Sequence, residues 1–266
     1  MKNCVQAKLL KNGNTINFIK STDGLEYNLE PNVTYVVKTE GFSDEIYLEK
    51  TGILSIEGKI YEEEDYSKFI NRTLNYYNNS KTGTTGIMLC GLKGAGKTLM
   101  AKQIAIKSNL PIIILDKYIR HSRLLNLFSM LSSMDVCIMI DEFDKFGKDY
   151  DNDILLSILD GINTSGKKLV IATCNDDLKI NKCMRDRCSR FRYWKTFREI
   201  PKDIIEKVIS DILNDKDKIT SLSTFIIENF KCISFDNIIS FAVEVNLNKS
   251  ESFEDLFKDM NLSARK

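Results

Sequence analysis

The run Gly91-Leu92-Lys93-Gly94-Ala95-Gly96-Lys97-Thr98 places three glycines ahead of a lysine and a hydroxyl. Glycines let backbone N–H groups turn toward a phosphate, a lysine at this position reaches the β- and γ-phosphates of a nucleotide, and the following hydroxyl is a magnesium ligand. The run follows the apolar stretch Ile87–Cys90 and opens Thr98–Ser108, which has helical periodicity. That strand-to-turn-to-helix context is the one the spacing requires, because the helix N-terminus adds its dipole to the phosphate site. Residues Gly91 to Thr98, with Leu99 beside them, are the candidate nucleotide contacts, and Thr98 is a candidate metal ligand.

A second constellation lies downstream. Cys137-Ile138-Met139-Ile140 is an apolar strand that ends on Asp141-Glu142. A buried strand delivers Asp141 to a sheet edge, where it can hold magnesium, and sets Glu142 to polarise an attacking water. Read alone, the pair is also compatible with an acid capping the next element. A third apolar strand, Leu169–Thr173, runs on through Cys174 to Asn175. If that strand lies between the first two, Asn175 can hydrogen-bond a γ-phosphate or the lytic water; otherwise it is an ordinary turn residue.

These residues need a scaffold, and the pattern around them supplies one. Predicted strands at 87–90, 112–115, 136–140 and 169–173 alternate with predicted helices at 98–108, 122–131 and 153–159, which describes a parallel sheet covered on both faces. Upstream, residues 5–56 read as short strands cut by Asn12-Gly13, Asp23-Gly24, Gly41 and Gly52, a small all-β unit. Apolar residues Phe69, Ile70, Leu74 and Tyr77 at helical spacing predict a helix within 61–81. After Pro201 amphipathic helices take over, at 202–213, 222–230, 235–245 and 253–260. The expected organisation is a β-rich region over 1–57, an α/β core over 58–200 and a helical lid over 201–266.

Composition is compatible with this. The chain has 266 residues, 43% hydrophobic and 28% charged, with a formal net charge of +1, which argues against disorder and against a strongly basic surface. The Arg-rich run 185–198 is the exception. Seven cysteines without a CxxC pair suggest buried free thiols in a reducing cytoplasm. Apolar runs such as Pro111–Leu115 are too short to cross a bilayer. His121, the one histidine, has no paired acid or nucleophile nearby in sequence.

Taken together, residues 58–245 resemble an AAA+ ATPase module of the unfoldase and remodelling branch. Gly91–Thr98 and Asp141-Glu142 stand as its two Walker motifs and Asn175 as its sensor residue. Met184-Arg185-Asp186-Arg187-Cys188-Ser189-Arg190-Phe191 is similar to its arginine-finger segment. The resemblance implies a P-loop NTPase core with a C-terminal helical lid, ATP and Mg2+ as ligands, and a hexameric homo-oligomer in which Arg187 and Arg190 reach the neighbour's γ-phosphate. Asp116-Lys117-Tyr118-Ile119-Arg120 is similar to the aromatic pore loop that grips a polypeptide, with Arg120 in place of the usual Gly; Tyr118 packing beneath its own helix is the other reading. Tyr61, with Ile60, sits where relatives wrap the adenine. Cys232–Ile238 has no arginine to serve as a second sensor. The implied function is ATP-driven remodelling of a protein substrate, with a DNA-acting clamp or helicase loader and a nucleotide-dependent assembly switch as the alternatives.

Overall fold

The computed structural model describes residues 8–12, 14–19, 28–39, 46–61, 64–81, 83–115, 121–146, 159–160, 165–176, 178, 180, 190–231 and 233–263. Nine strands among them form one sheet: β1 Lys8–Asn12, β2 Thr15–Ile19, β3 Val33–Thr39, β4 Ile46–Ile53, β5 Thr84–Gly91, β6 Ile112–Leu115, β7 Val136–Ile140, β8 Lys168–Cys174 and β9 Phe191–Phe197, in the order β1-β2-β4-β3-β6-β7-β8-β5-β9. The pairs β6 with β7, β7 with β8, and β8 with β5 are parallel, as the alternating pattern requires. Strand β8 is buried along its whole length, which is why Leu169–Ala172 within it reads as an apolar run rather than an alternating one.

The N-terminal strands are present, and they extend the core sheet. Strand β3 pairs in parallel with β6, with Tyr35 opposite Ile113, while β3 with β4, β4 with β2, and β2 with β1 are antiparallel. Tyr35, Ile16 and Leu48 are fully buried and belong to the same apolar cluster as Ile113, Val136 and Val170. Burying such side chains stabilises by roughly 1.5–3 kcal/mol each, which answers how so short a β-rich region acquires a core. Two strands expected on either side of Gly52 are one strand: Thr34 faces Gly52 and Tyr35 faces Lys50, so Thr51 is the extra residue of a bulge. The Thr51 side chain shares a 2.7 Å hydrogen bond with Thr34.

Helix α1, Glu64–Asn79, buries Ile70, Leu74 and Tyr77, one face at helical spacing. Helix α2, Lys97–Ser108, buries Met100, Ala101, Ile104 and Ala105. Helices α3, His121–Met130, and α4, Phe143–Phe146, complete the described helices of the sheet region. The helix expected over 153–159 lies outside the described residues up to 158. Strand β9 is a finding that the Arg-rich reading of 185–198 did not anticipate: Phe191 and Phe197 are buried within it and Trp194 packs partly against the core.

The chain divides into two compact units, one of Met1–Glu57, Lys68–Cys90 and Thr98–Lys195, the other of Gly58–Ser67, Gly91–Lys97 and Thr196–Lys266. The second contains α5 Lys202–Ile212, α6 Ile219–Asn229, α7 Phe235–Leu247 and α8 Phe253–Asp259. Its core is aromatic: Phe225 stacks on Phe241 at 5.7 Å and Phe230 meets Phe257 at 5.1 Å. Ser234 caps α7 by accepting from the Asn237 N–H at 3.2 Å, and Ser252 caps α8 from Asp255 in the same way.

Candidate active site

The candidate residues fall into two groups. The first surrounds the glycine run. Gly91 has φ 137° and Gly94 φ 72°, backbone that L side chains rarely adopt, and each also approaches its neighbour too closely for a Cβ, which would stand 2.1 Å from the Phe197 carbonyl oxygen or 2.5 Å from Ser234 Cβ. The Phe235 N–H donates to the Gly94 carbonyl at 3.2 Å, so the N-terminus of α7 is tied to the loop by a main-chain bond. Lys97 is buried, and its ammonium donates to the carbonyls of Gly91 at 2.8 Å and Leu92 at 2.6 Å. Leu92, Lys93 and Thr98 are exposed, Leu99 is half-buried and Ala95 is buried. A glycine-turned loop opening a helix with a lysine at its mouth fits a polyphosphate in chemistry and backbone shape.

Tyr61 belongs to the same unit. Its hydroxyl donates to Asp211 Oδ2 at 2.7 Å, and the Lys59 ammonium meets both oxygens of Asp211 at 2.8 and 2.7 Å. Burial, then the bond to Asp211, pushes the Tyr61 phenol up to about 12, while Lys59 and then Tyr61 hold the Asp211 carboxyl below its usual range. The Tyr61 ring lies nearly parallel to Phe235, centroids 6.2 Å apart at 18°.

The second group stands at the C-terminal edge of the parallel strands. Ile140 is the last residue of β7 in register with β8, opposite Ala172, and β8 runs on to Cys174, so Asp141 and Asn175 each follow the end of a strand. Ligand sites in open α/β sheets lie at this edge. The Thr173 hydroxyl donates to Asp141 Oδ1 and accepts the Glu142 N–H at 3.0 Å. Glu142 has φ 53°, a left-handed conformation uncommon outside glycine. One oxygen of its carboxylate accepts from Asn175 Nδ2 at 3.3 Å and the other meets Lys145 Nζ at 2.5 Å. The bond to Glu142 raises the Lys145 pKa. Buried Asp144 accepts the Asn175 N–H at 3.1 Å, and Phe143, edge-on to Phe191 at 5.5 Å, anchors the turn.

The structure thus brings Asp141, Glu142 and Asn175 together. Arg190 makes an ion pair within its own chain. Its side chain is 7% exposed, and the guanidinium grips Asp160 at two points, Nε to Oδ1 at 3.0 Å and Nη2 to Oδ2 at 3.1 Å. An arginine held this way supports its own subunit. Tyr118 and Arg187 lie outside the described residues. Sequence reasoning missed Thr173, Lys145 and Asp144. The signal for Thr173 was available: it is the polar residue of an apolar strand, and alternation puts it on the same face as Asn175.

Residues 87–196 match the family model of the ATPase family associated with various cellular activities (AAA). The matched stretch contains the glycine run, Asp141-Glu142 and Asn175. A chain from a solved structure described as "Structural Basis for Katanin Self-Assembly" is similar at a TM-score of 0.52, with 18% identity over 73% of this chain and 72% of that one. At this identity the likeness speaks for the fold. No curated protein matches the sequence. Among the described residues, no helix is long and apolar enough to cross a membrane.

Proposed function

We propose that the AAA domain of this chain hydrolyses ATP, and that a cytoplasmic ring of copies, six by the resemblance, uses the cycle to remodel or translocate a macromolecule, favoured here as a polypeptide. The observation that carries the hydrolytic part is the acid pair Asp141-Glu142 held at a strand edge beside Asn175. Loop N–H groups from Gly91 to Thr98 and the Lys97 ammonium bind the phosphates, Lys97 exchanging its carbonyl partners for phosphate oxygens. Thr98 and Asp141 hold Mg2+, which neutralises phosphate charge when bound. Glu142, released from Lys145, takes the proton of the attacking water, and Asn175 orients that water. Arg187 makes the contact to the neighbouring subunit and Arg190 supports the segment that carries it. Tyr61 meets the base and Tyr118 grips the substrate. Residues 1–57 recruit the client, 58–200 form the motor and 201–266 the lid.

Two arginines of the Arg-rich run favour a polypeptide over DNA, because Arg190 is paired with Asp160 and Arg192 lies 3.9 Å over the Tyr76 ring. Both cations are engaged within the chain. The test is ATP turnover with and without unfolded protein or DNA, across concentrations that span ring assembly. Glu142→Gln is expected to bind ATP and lose roughly 10²–10⁴-fold in turnover. Near-normal turnover in that variant sinks the assignment of the base, and stimulation by DNA alone replaces the polypeptide reading.

A further inference from the structure

The geometry assigns Thr173 a positioning role in hydrolysis, an inference that rests on the reading of Asp141 and Glu142 given above. Strand β8 is hydrogen-bonded on both sides, to β7 and to β5, so the Thr173 backbone has no freedom to follow a ligand. Its side chain is 4% exposed. A hydroxyl has one proton and two lone pairs, and both capacities are committed here. The proton goes to Asp141 Oδ1 and a lone pair receives the Glu142 N–H at 3.0 Å.

A single oxygen atom on the neighbouring strand therefore fixes both acids. The bond to Oδ1 fixes the orientation of the Asp141 carboxylate, which would hold magnesium in the proposed site. The bond to the Glu142 N–H has a separate consequence. That residue sits at φ 53°, which an L side chain resists, and relaxing it would swing the Glu142 carboxylate away from Asn175. Thr173 acts through two other residues, so its loss belongs in turnover and metal dependence rather than in nucleotide affinity.

Thr173→Val keeps the shape of the side chain and removes both bonds. Its kcat is expected to fall about 10- to 100-fold, as for loss of a hydrogen bond to a charged group, with half-saturating Mg2+ raised and ADP affinity within about twofold of wild type. Thr173→Ser, which keeps the hydroxyl, is expected to retain activity within about threefold. Adding Thr173→Val to Glu142→Gln is expected to cost less than it does in the wild-type background, since the bond to Glu142 has little left to position and only the bond to Asp141 still acts. If the valine variant does not fold, Thr173→Ala is read in the same way. Wild-type kcat in an active, folded Thr173→Val protein overturns the inference, as do additive losses with Glu142→Gln, or a serine variant as impaired as valine. A wild-type chain that turns over no ATP overturns the ATPase reading instead and takes this inference with it.

Discussion

Replacing Arg190 with methionine keeps the apolar stem and deletes the guanidinium, which leaves Asp160 with a charge that nothing in its two-point clamp satisfies. Breaking a buried pair in this way costs about 3–5 kcal/mol when the surviving ion is sealed from water. The Asp160 side chain is 25% exposed, so water recovers part of the loss and we expect about 2–3 kcal/mol. For a protein of this size each kcal/mol moves the melting temperature by about 2–4 °C, giving a fall of about 4–12 °C. Arg190→Lys retains the charge without the planar fork and is expected to lie between the two. Asp160→Asn added to Arg190→Met removes the stranded charge and is expected to restore part of the stability. The assay is a thermal melt and a urea titration on each variant, with ATPase measured on the same preparations. An Arg190→Met protein that melts within about 2 °C of wild type yet has lost ATPase would refute this role, and would return Arg190 to the subunit interface. Arg187→Ala is the contrast: unchanged melting, lost ATPase, and partial recovery when co-assembled with Lys97→Ala subunits.

Four further outcomes are open to measurement. Lys97→Ala is expected to weaken ATP binding itself, because the phosphate charge loses its cation; equal affinity in a binding titration would count against the loop. Gly94→Ala forces a Cβ toward Ser234 at a backbone angle suited to glycine and is expected to destabilise by about 1–3 kcal/mol, read by urea titration, with Ser234→Gly relieving only the contact and not the angle. Lys168 is fully buried with Nζ on the carbonyls of Met134 and Gly166, and burial lowers its pKa to about 8. The folded value lies below the unfolded one, so its penalty is full below pH 8 and is relieved as pH rises toward 10.5; wild type should gain up to about 3 kcal/mol relative to Lys168→Met across that window, and a pH-independent difference would refute it. Tyr118→Ala is expected to leave melting and basal ATPase intact while abolishing protein-stimulated turnover, whereas a strongly destabilised variant would mean the ring is a core residue.

The sequence was most readable where one signal dominated. Apolar runs such as Val136–Ile140 have no periodicity that competes with a buried parallel strand, and the glycine spacing at 91–96 answers to a backbone requirement that few other residues meet. The place of Asp141 and Glu142 at a strand edge was readable for the same reason, since the apolar run Cys137–Ile140 that carries them ends abruptly on two acids. Strand β9 was obscured because its charges, Arg192 and Lys195, are spent over the rings of Tyr76 and Phe69, partners distant in sequence. The motif position of Arg190 was legible, but its ion pair with Asp160, thirty residues away, was not. The grouping of Gly91–Lys97 with the C-terminal helices was equally hidden, because it depends on how Ser234 and Phe235 meet the loop.

The parallel pairing of β3 with β6 bears on how the chain is made and how it is cut. Beyond Ile112–Leu115 the sheet continues into β3, and among the described residues it is this strand, translated long before, that covers the outer edge of β6. Until Thr34 finds Ile112, the nascent core carries an open row of N–H and C=O groups flanked by apolar side chains, a template for pairing with another chain. Trimming the N-terminal strands to obtain a smaller motor would recreate that state permanently. Aggregation of such a fragment would then report a lost edge cover, and it would say nothing about whether those strands recruit a client.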